Sequence, residues 1–515
     1  MQEKSTFSMF QGTCPQLIAV LAGTLGTISD GMNYGWSAPA IQILKGENSP
    51  VELGPNDFLW LETIYIIGGL VALPITIFAV DQIGRKRPIL ISAVISLISW
   101  LLIGLANRVE YLYVARFMVG LSGDVAFVAA PMYIAEIADK KIRGFLAGII
   151  YVMLLVGILI IYAITPYVQF YVPSIIGIIL VSIQLITFPF MPDSPYYLLS
   201  KENPEKAKLH LQRLRGTENV EAELKDITAA VKRQQTEKGR PQDLVLSKSN
   251  RKAVLIMFVL NGAQHLSSIS VILMNLHEIL SAADSIYMSS EIAGILFAVM
   301  MLMSATIADF VIDKFGRKPL LITSCLLTGC SLLVLAIFFS LKKSGMNVDD
   351  VSWIPLVSVM VYAVVFKFGL GIIPIVMTAE LFPANVKAMG MTISDFFYVL
   401  FAWFSIEIFQ RLSMKVGYDV PFYMFSICTL LTAVFVQFYV PETKGKTLEE
   451  IQFILKGIPF PHRSNSFGSN TLSCKSLEHG SYKIKQIQGG DISKGQQRRD
   501  SQGPSILQNI EVNAI

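Results

Sequence analysis

Apolar residues along this chain come in long runs, and the polar residues collect in the gaps between them. Twelve runs are long enough to matter: roughly 17–41, 57–79, 88–106, 111–134, 144–166 and 171–191, then 251–280, 291–312, 319–341, 352–380, 388–411 and 419–440. A helix needs about 20 such residues to cross about 30 Å of hydrocarbon. Backbone groups inside lipid find no water to bond, so each run is expected to be helical rather than sheet. Pro74, Gly157, Gly371 and Pro374 interrupt the runs. Such breaks are tolerable where a neighbouring helix or an aqueous cavity satisfies the freed carbonyls.

The polar gaps give orientation and organisation. Loops after spans 2, 4, 8 and 10 hold about ten Lys and Arg, against about six in the opposite loops. This bias places both termini and the 193–250 connector in the cytosol. The expected organisation is a cytoplasmic N-terminus over 1–16, a six-helix bundle over 17–192, the connector over 193–250, a second six-helix bundle over 251–441, and a cytoplasmic tail over 442–515. Asn203-Pro204-Glu205 reads as a helix start, with a capping side chain, Pro at the first helical position and an acid in the first turn. Leu209, Leu211 and Leu214 follow, and Glu221 to Lys232 reads as a further helix. These apolar positions need a packing partner, so the connector is expected to be a bundle of short helices latching the two halves rather than a solvated strap. Beyond about Phe460 the tail is rich in Ser, Gly and Gln, a composition that predicts disorder.

Composition closes off other classes. A 515-residue chain could hold two or three soluble domains, but 53% of its residues are apolar and 16% charged, against about 25% charged in soluble domains. The mean hydropathy is +0.55. A net charge of +4 gives no case for nucleic acid. Cys14, Cys325, Cys330, Cys428 and Cys474 imply no disulfide framework. Glu3 and Lys4 precede a run with no small-residue cleavage site, so no cleaved signal peptide is expected. No paired acid and base, metal cluster or phosphate loop occurs at usable spacing. Neither an enzyme, a cofactor nor a metal is expected.

Superimposed on the runs is a repeat. Asp81-Gln82-Ile83-Gly84-Arg85-Lys86 recurs as Asp313-Lys314-Phe315-Gly316-Arg317-Lys318. Glu136 and Arg143 are echoed by Glu380 and Lys387, and Pro192-Asp193-Ser194 by Pro441-Glu442-Thr443. Three charged landmarks in one order, roughly 230–250 residues apart, indicate two structural repeats side by side. Membrane proteins built this way move a solute between their halves.

These landmarks resemble the sugar porter branch of the major facilitator superfamily, over about residues 15–455. Pro441-Glu-Thr-Lys-Gly-Lys-Thr-Leu-Glu-Glu450 matches that family's signature after the last helix. Pro131-x-Tyr133-x-x-Glu136 with Arg143-Gly144, then Ala379-Glu380-Leu381-Phe382-Pro383, then Leu214-Arg215-Gly216, match further family motifs. Gly35-Trp36-Ser37-Ala38-Pro39 resembles the facilitated trehalose transporters of insects. The resemblance implies the major facilitator fold, an all-α membrane protein with twelve transmembrane helices in two pseudo-symmetric six-helix bundles. It implies a multi-pass cell-membrane protein carrying a small-molecule sugar, trehalose or a hexose, down its gradient by alternating access. The bilayer is its other partner, and oligomeric state is left open.

Charge placement is consistent with that reading. Asp81, Arg85, Lys86, Glu136, Arg143, Asp313, Arg317, Lys318, Glu380, Lys387 and Glu442 fall at helix ends expected to be cytoplasmic, and Arg116 is expected as a further, intramembrane member. A surface ion pair contributes about 0–1 kcal/mol, whereas breaking a desolvated pair costs about 3–5 kcal/mol. Opposite charges that meet only when the two halves converge would form a two-state cytoplasmic gate. Basic residues that merely set orientation would leave the acids unexplained.

A sugar site needs amide, hydroxyl and ring groups. Gln264, His265, Ser270, Asn275 and Tyr151 are the candidates. Span 7 reads Gln264-His265-Leu266-Ser267-Ser268-Ile269-Ser270, where the family typically has Gln-Gln-Leu-Ser-Gly-Ile-Asn. Asn275 stands at a usual aromatic, Tyr151 at a usual Gln, Ile375 at a usual Trp, and Met301 at a usual Asn. Tyr398-Val399 aligns with a usual Asn-Trp. Gln264 could instead be glue between helices, and His265 and Tyr151 could equally be packing groups. Asn33 cannot titrate where proton-driven relatives carry Asp, which points to uncoupled facilitation; Asp30 keeps proton coupling open. A sugar sensor that no longer transports, or a facilitator of a non-sugar solute, are the alternatives.

Overall fold

The computed structural model describes residues 3–458 apart from 47–48, 55, 140–141, 237–241, 384–385 and 447. The expected disordered tail and the Glu3 and Lys4 side chains lie outside the described residues, as does the side chain of Asp313.

The first half holds α1 (Glu3–Gly35), α2 (Ser37–Lys45), α3 (Asp57–Ile83), α4 (Lys86–Gly104), α5 (Val109–Ile137), α6 (Arg143–Ile164) and α7 (Val172–Thr187). The connector forms α8 (Pro195–Ser200), α9 (Pro204–Arg215), α10 (Glu221–Thr236) and α11 (Asp243–Leu246). The second half holds α12 (Lys248–Leu266), α13 (Ile269–Ala283), α14 (Ser290–Phe315), α15 (Arg317–Lys343), α16 (Ile354–Lys367), α17 (Ile373–Leu381), α18 (Lys387–Val416) and α19 (Asp419–Tyr439), followed by α20 (Leu448–Lys456). Eleven spans among the described residues are long and apolar enough to cross a membrane. The twelfth is the 33-residue α1, whose lower apolarity comes from Thr24, Thr27, Ser29, Asp30 and Asn33, all buried inside the protein. The chain is thus an all-α membrane protein of twelve spans in two bundles of six.

Two of those spans are not continuous. Span 7 breaks between α12 and α13, where Ser268 takes a left-handed conformation (φ 75°) and both Ser267 and Ser268 are buried. Span 10 breaks between α16 and α17, across 368–372, where Gly369 and Gly371 precede Pro374 at the start of α17. Apolarity alone predicts one helix in each place, because the breaking residues are themselves small and uncharged.

Both Asp-x-x-Gly-Arg-Lys segments lie at one end of the molecule. Helices α3 and α18 pack antiparallel: Glu62 near the start of α3 bonds Gln410 near the end of α18, and Gly69 faces Val399. The end of α3 therefore lies with the start of α18, where Lys387 is within electrostatic reach of Glu380, the partner of Arg317. We call this the motif end. Its two turn glycines, Gly84 (φ 92°) and Gly316 (φ 89°), occupy backbone space that L-residues avoid. A Cβ on Gly84 would strike the Tyr197 ring and one on Gly316 the Glu442 carboxylate.

The connector packs at the same end. Helix α9 begins at Pro204 as expected, but Asn203 makes no side-chain cap; the Pro and Glu205 suffice. Leu211 and Leu214 are buried while Leu209 is exposed, because only the first two face α1 and α8. Arg215 ties α9 to the first half through the Ile137 carbonyl (2.9 Å) and to α10 through Glu223 (2.7 Å). Helices α8–α10 thus sit on the first half, and α11 packs on α12 of the second.

Candidate functional site

At the motif end each half builds the same charge station. In the first half, Arg85 Nε and Nη2 both donate to Glu136 Oε1 at 2.8 Å, and Ser194 Oγ donates to Glu136 Oε2. Ser194 also caps α8 by accepting from the Tyr197 N–H. In the second half, Arg317 Nη2 donates to Glu380 Oε1 at 3.1 Å, and Thr443 Oγ1 donates to Glu380 Oε2 at 2.5 Å. The lysines match as well. Lys86 Nζ reaches the Pro189 and Met191 carbonyls (2.7 Å each), and Lys318 Nζ reaches the Gln437 carbonyl (2.6 Å). Each lysine neutralises the carbonyl-rich end of its half's last span.

The stations differ at one acid. Glu442 accepts from the backbone N–H groups of Arg317 (3.1 Å) and Lys318 (3.0 Å) at the start of α15, a helix N-terminus that favours an anion. Burial alone would raise its pKa, but backbone N–H bonds from Lys444, Arg317, Lys318 and Thr443 outweigh it and hold the carboxyl below its ordinary value. Asp193, one methylene shorter, instead accepts from the Ser194 N–H, while its own N–H donates to His210 Nδ1 (2.7 Å).

The geometry revises the expected gate in two respects. Both Arg–Glu pairs close within their own half, so neither takes its partner from the opposite half. Arg116 does not belong to the motif end at all. It lies twenty residues before Glu136 on α5, about 30 Å along the helix. There its buried guanidinium donates to the carbonyls of Asn33 (2.8 Å) and Leu61 (3.2 Å) and to Ser37 Oγ (3.1 Å), and stacks over Tyr65 at 4.4 Å. Of the other residues singled out, Asp81 is exposed, and among the described residues Arg143 reaches the Ala138 carbonyl at 3.4 Å, with Nε buried. Burial lowers the Lys387 pKa, and the nearby Glu380 opposes the shift.

The two broken spans meet in the middle of the second half and repair each other. Gln264 Nε2 donates to the Leu370 carbonyl in the span-10 break (2.8 Å), and Tyr362 Oη donates to the Ser267 carbonyl in the span-7 break (2.8 Å). Carbonyls freed inside a membrane need such donors. Around this crossing several buried polar atoms remain open: Gln264 Oε1, His265 Nε2 and Ser268 Oγ. His265 Nδ1 is bonded to Ser270 Oγ (2.8 Å), and its ring lies edge-on to Tyr398 at 4.2 Å. Half-buried Tyr151 on α6 lies within electrostatic reach of Tyr398. Gln264, His265, Ser270 and Tyr151 therefore gather around one centre.

Asn275 stands apart from that centre, in a polar seam at the end opposite the motifs. Six described polar ties cross between the halves there. Tyr34 Oη meets Ser270 Oγ (3.0 Å), Tyr162 Oη donates to the Leu273 carbonyl (2.5 Å), Gln42 Nε2 to Ser281 Oγ (3.0 Å), and Lys45 pairs with Glu278 (3.2 Å). Glu62 Oε2 accepts from Asn275 Nδ2 (3.3 Å) and from Gln410 Nε2 (3.1 Å). Glu62, Gln410, Tyr34, Tyr162 and Tyr362 were not among the sequence candidates. Glu62 carried a readable signal: of the two acids in the run 57–79, Asp57 stands at its edge and Glu62 lies inside it. The tyrosines carried none.

Three comparisons bear on this arrangement. A family model described as "Sugar (and other) transporter" matches residues 16–455. The facilitated trehalose transporter Tret1 of Aedes aegypti is 30% identical over 447 residues, 86% of this chain and 55% of the relative. That of Culex quinquefasciatus is 30% identical over 445 residues, 85% of this chain and 86% of the relative. That of Anopheles gambiae is 29% identical over 447 residues, so the chain spans only about half the length of the Anopheles and Aedes relatives. Among solved structures, the proton:xylose symporter XylE bound to 6-bromo-6-deoxy-D-glucose superposes with a TM-score of 0.69 at 21% identity, covering 86% of this chain and 100% of that one. An inward-open XylE from E. coli gives 0.69 at 20% identity, covering 84% and 98%. These structures show a shared fold.

Proposed function

Because this chain belongs to the sugar transporter family of the major facilitator superfamily, we propose that it carries a sugar, trehalose or a hexose, down its gradient by alternating access. The observation that carries the reading is the crossing of the two broken spans. Half-helices surround Gln264 Oε1, His265 Nε2 and Ser268 Oγ, all buried and open. A hydroxyl-rich solute supplies the donors and acceptors these atoms lack, and rings at Tyr398 and Tyr151 offer stacking faces. Asn33 in place of a titratable acid supports movement without proton coupling.

The Lys and Arg bias supports a cytoplasmic motif end with both termini on that side, and the cell membrane is taken as the site of action. On this reading the charge stations brace the inner end of each bundle. Arg143 and Lys387 open α6 and α18, which pack on α14 and α3 of the opposite half, so they are assigned to act between the halves.

Uptake of labelled trehalose and glucose into oocytes tests the proposal. Accumulation is expected to stop at the external concentration and to be indifferent to a proton ionophore. Concentrative, ionophore-sensitive uptake would overturn the uncoupled mechanism. Binding without flux would identify a sensor instead. Arg143→Ala is expected to slow counterflow of the accepted sugar.

A further inference from the structure

We propose that Glu62 is the pin of the outer seam: a buried carboxylate that closes the transporter on that side by binding two amides, Asn275 and Gln410, from two different helices of the opposite half. The proposal rests on the alternating-access reading. Five of the six cross-half ties end on α13 alone. Glu62 also reaches a second helix, since Gln410 lies on α18. Gln410 Nε2 is shared between Glu62 Oε2 and Asn275 Oδ1 (2.9 Å), so the three side chains form one closed cluster.

Several features fit this cluster to closure rather than to packing. Glu62 has no solvent exposure, and a buried carboxylate is costly unless hydrogen-bonded and compensated in charge. Compensation comes from Arg116, which is anchored to the carbonyl of Leu61, the residue next to Glu62. The other charge acting on it, Glu278, is itself held by Lys45 and by Tyr418 Oη (3.0 Å). The compensating cation belongs to the first half, but both hydrogen-bond donors belong to the second. Parting the halves would therefore strip the acid of its donors while leaving its charge in place. Asn275 has a non-helical backbone (φ −121°, ψ 15°) inside α13, and this local kink presents its amide to Glu62. Glu62 Oε1 is buried and unpartnered, so no bond within the first half holds the acid in position.

The test reads accessibility, which does not depend on what the solute is. Leu273, buried on α13 within the seam, is replaced by Cys in a chain whose Cys14, Cys330, Cys428 and Cys474 are Ser and whose remaining Cys325 is buried. Labelling by a membrane-impermeant maleimide is then followed in intact cells. Glu62→Gln is expected to label about tenfold faster, since a hydrogen bond to a charged group carries about 1.4 kcal/mol or more. Gln410→Ala is expected to label faster as well, giving a second reading should Glu62→Gln fold poorly. The swap Glu62→Gln with Gln410→Glu restores one carboxylate to the cluster and is expected to return labelling towards the parent rate. Unchanged labelling in either single variant, or a swap as fast as Glu62→Gln in protein of parental elution profile, would overturn the pin. Sugar uptake by the parent chain, measured in the same cells, separately reports on the transport reading.

Discussion

In the first half, the two closest helix pairs touch backbone to backbone. Gly31 faces the Leu154 carbonyl while Gly157 faces that of Ile28, joining α1 to α6; Gly68 faces the Phe117 carbonyl while Gly120 faces that of Tyr65, joining α3 to α5. The corresponding pairs in the second half are looser. Between α12 and α18, Gly262 faces only the Phe401 ring. Between α14 and α16 lies a groove of about 420 Å³ lined by Met288, Leu296, Met300, Trp353 and Met360 among other apolar groups. Both broken spans also belong to the second half. Yet the charge stations at the motif end agree almost atom for atom. Repeated chemistry thus marks where each bundle is braced, and divergent packing marks where the two bundles differ. Across these two helix pairs the first half is the more closely packed, while the groove and both broken spans lie in the second.

The largest expected effect would break the comparison at the shared stations. Glu136→Gln and Glu380→Gln each leave a mostly buried Arg without its acid, at a cost of about 3 kcal/mol. Thermal unfolding of the purified variants and labelled uptake should fall to a similar degree; loss in one half only would show the stations to be unequal. Next comes the packing contrast. Gly157→Ala forces a methyl onto a carbonyl that cannot move aside, costing about 1–3 kcal/mol, whereas the Phe401 ring can yield to Gly262→Ala. The melting temperature should drop clearly in the first variant and little in the second.

A smaller effect probes the broken spans. Gln264→Ala leaves the Leu370 carbonyl unbonded, a loss of about 1–2 kcal/mol that should appear as slower sugar counterflow. The smallest concerns His210 in the connector. Burial lowers its pKa, and its Nδ1 must stay unprotonated to accept from Asp193. A depressed folded-state pKa means the contribution is present above about pH 6.5 and is lost as pH falls further. Melting temperature should decline between pH 7 and 5.5, and His210→Ala should flatten that part of the slope.

Much of this architecture was legible in the chain, for reasons of physics. Spans announce themselves because lipid demands about 20 apolar residues, and the stations because charges at helix ends are otherwise unneeded. Depth was not legible. Arg116 reads as an intramembrane member of the same gate, and only the turn count along α5 separates it from Glu136. Nor were the breaks, since Ser267-Ser268 and Gly369 interrupt hydrogen bonding without interrupting apolarity. Partners were only half legible: Gln264 read as a sugar contact or as glue between helices, and its amide nitrogen bonds the neighbouring span.

The lopsided seam has a mechanical consequence. Its ties lie at Ser270, Leu273, Asn275, Glu278 and Ser281, at steps of two to three residues along α13 beginning next to the left-handed Ser268. A segment fastened at intervals and swivelling at one end can come away like a strip of tape, one bond at a time. The force needed at any instant is then that of a single tie, and water can hydrate each site as it is uncovered.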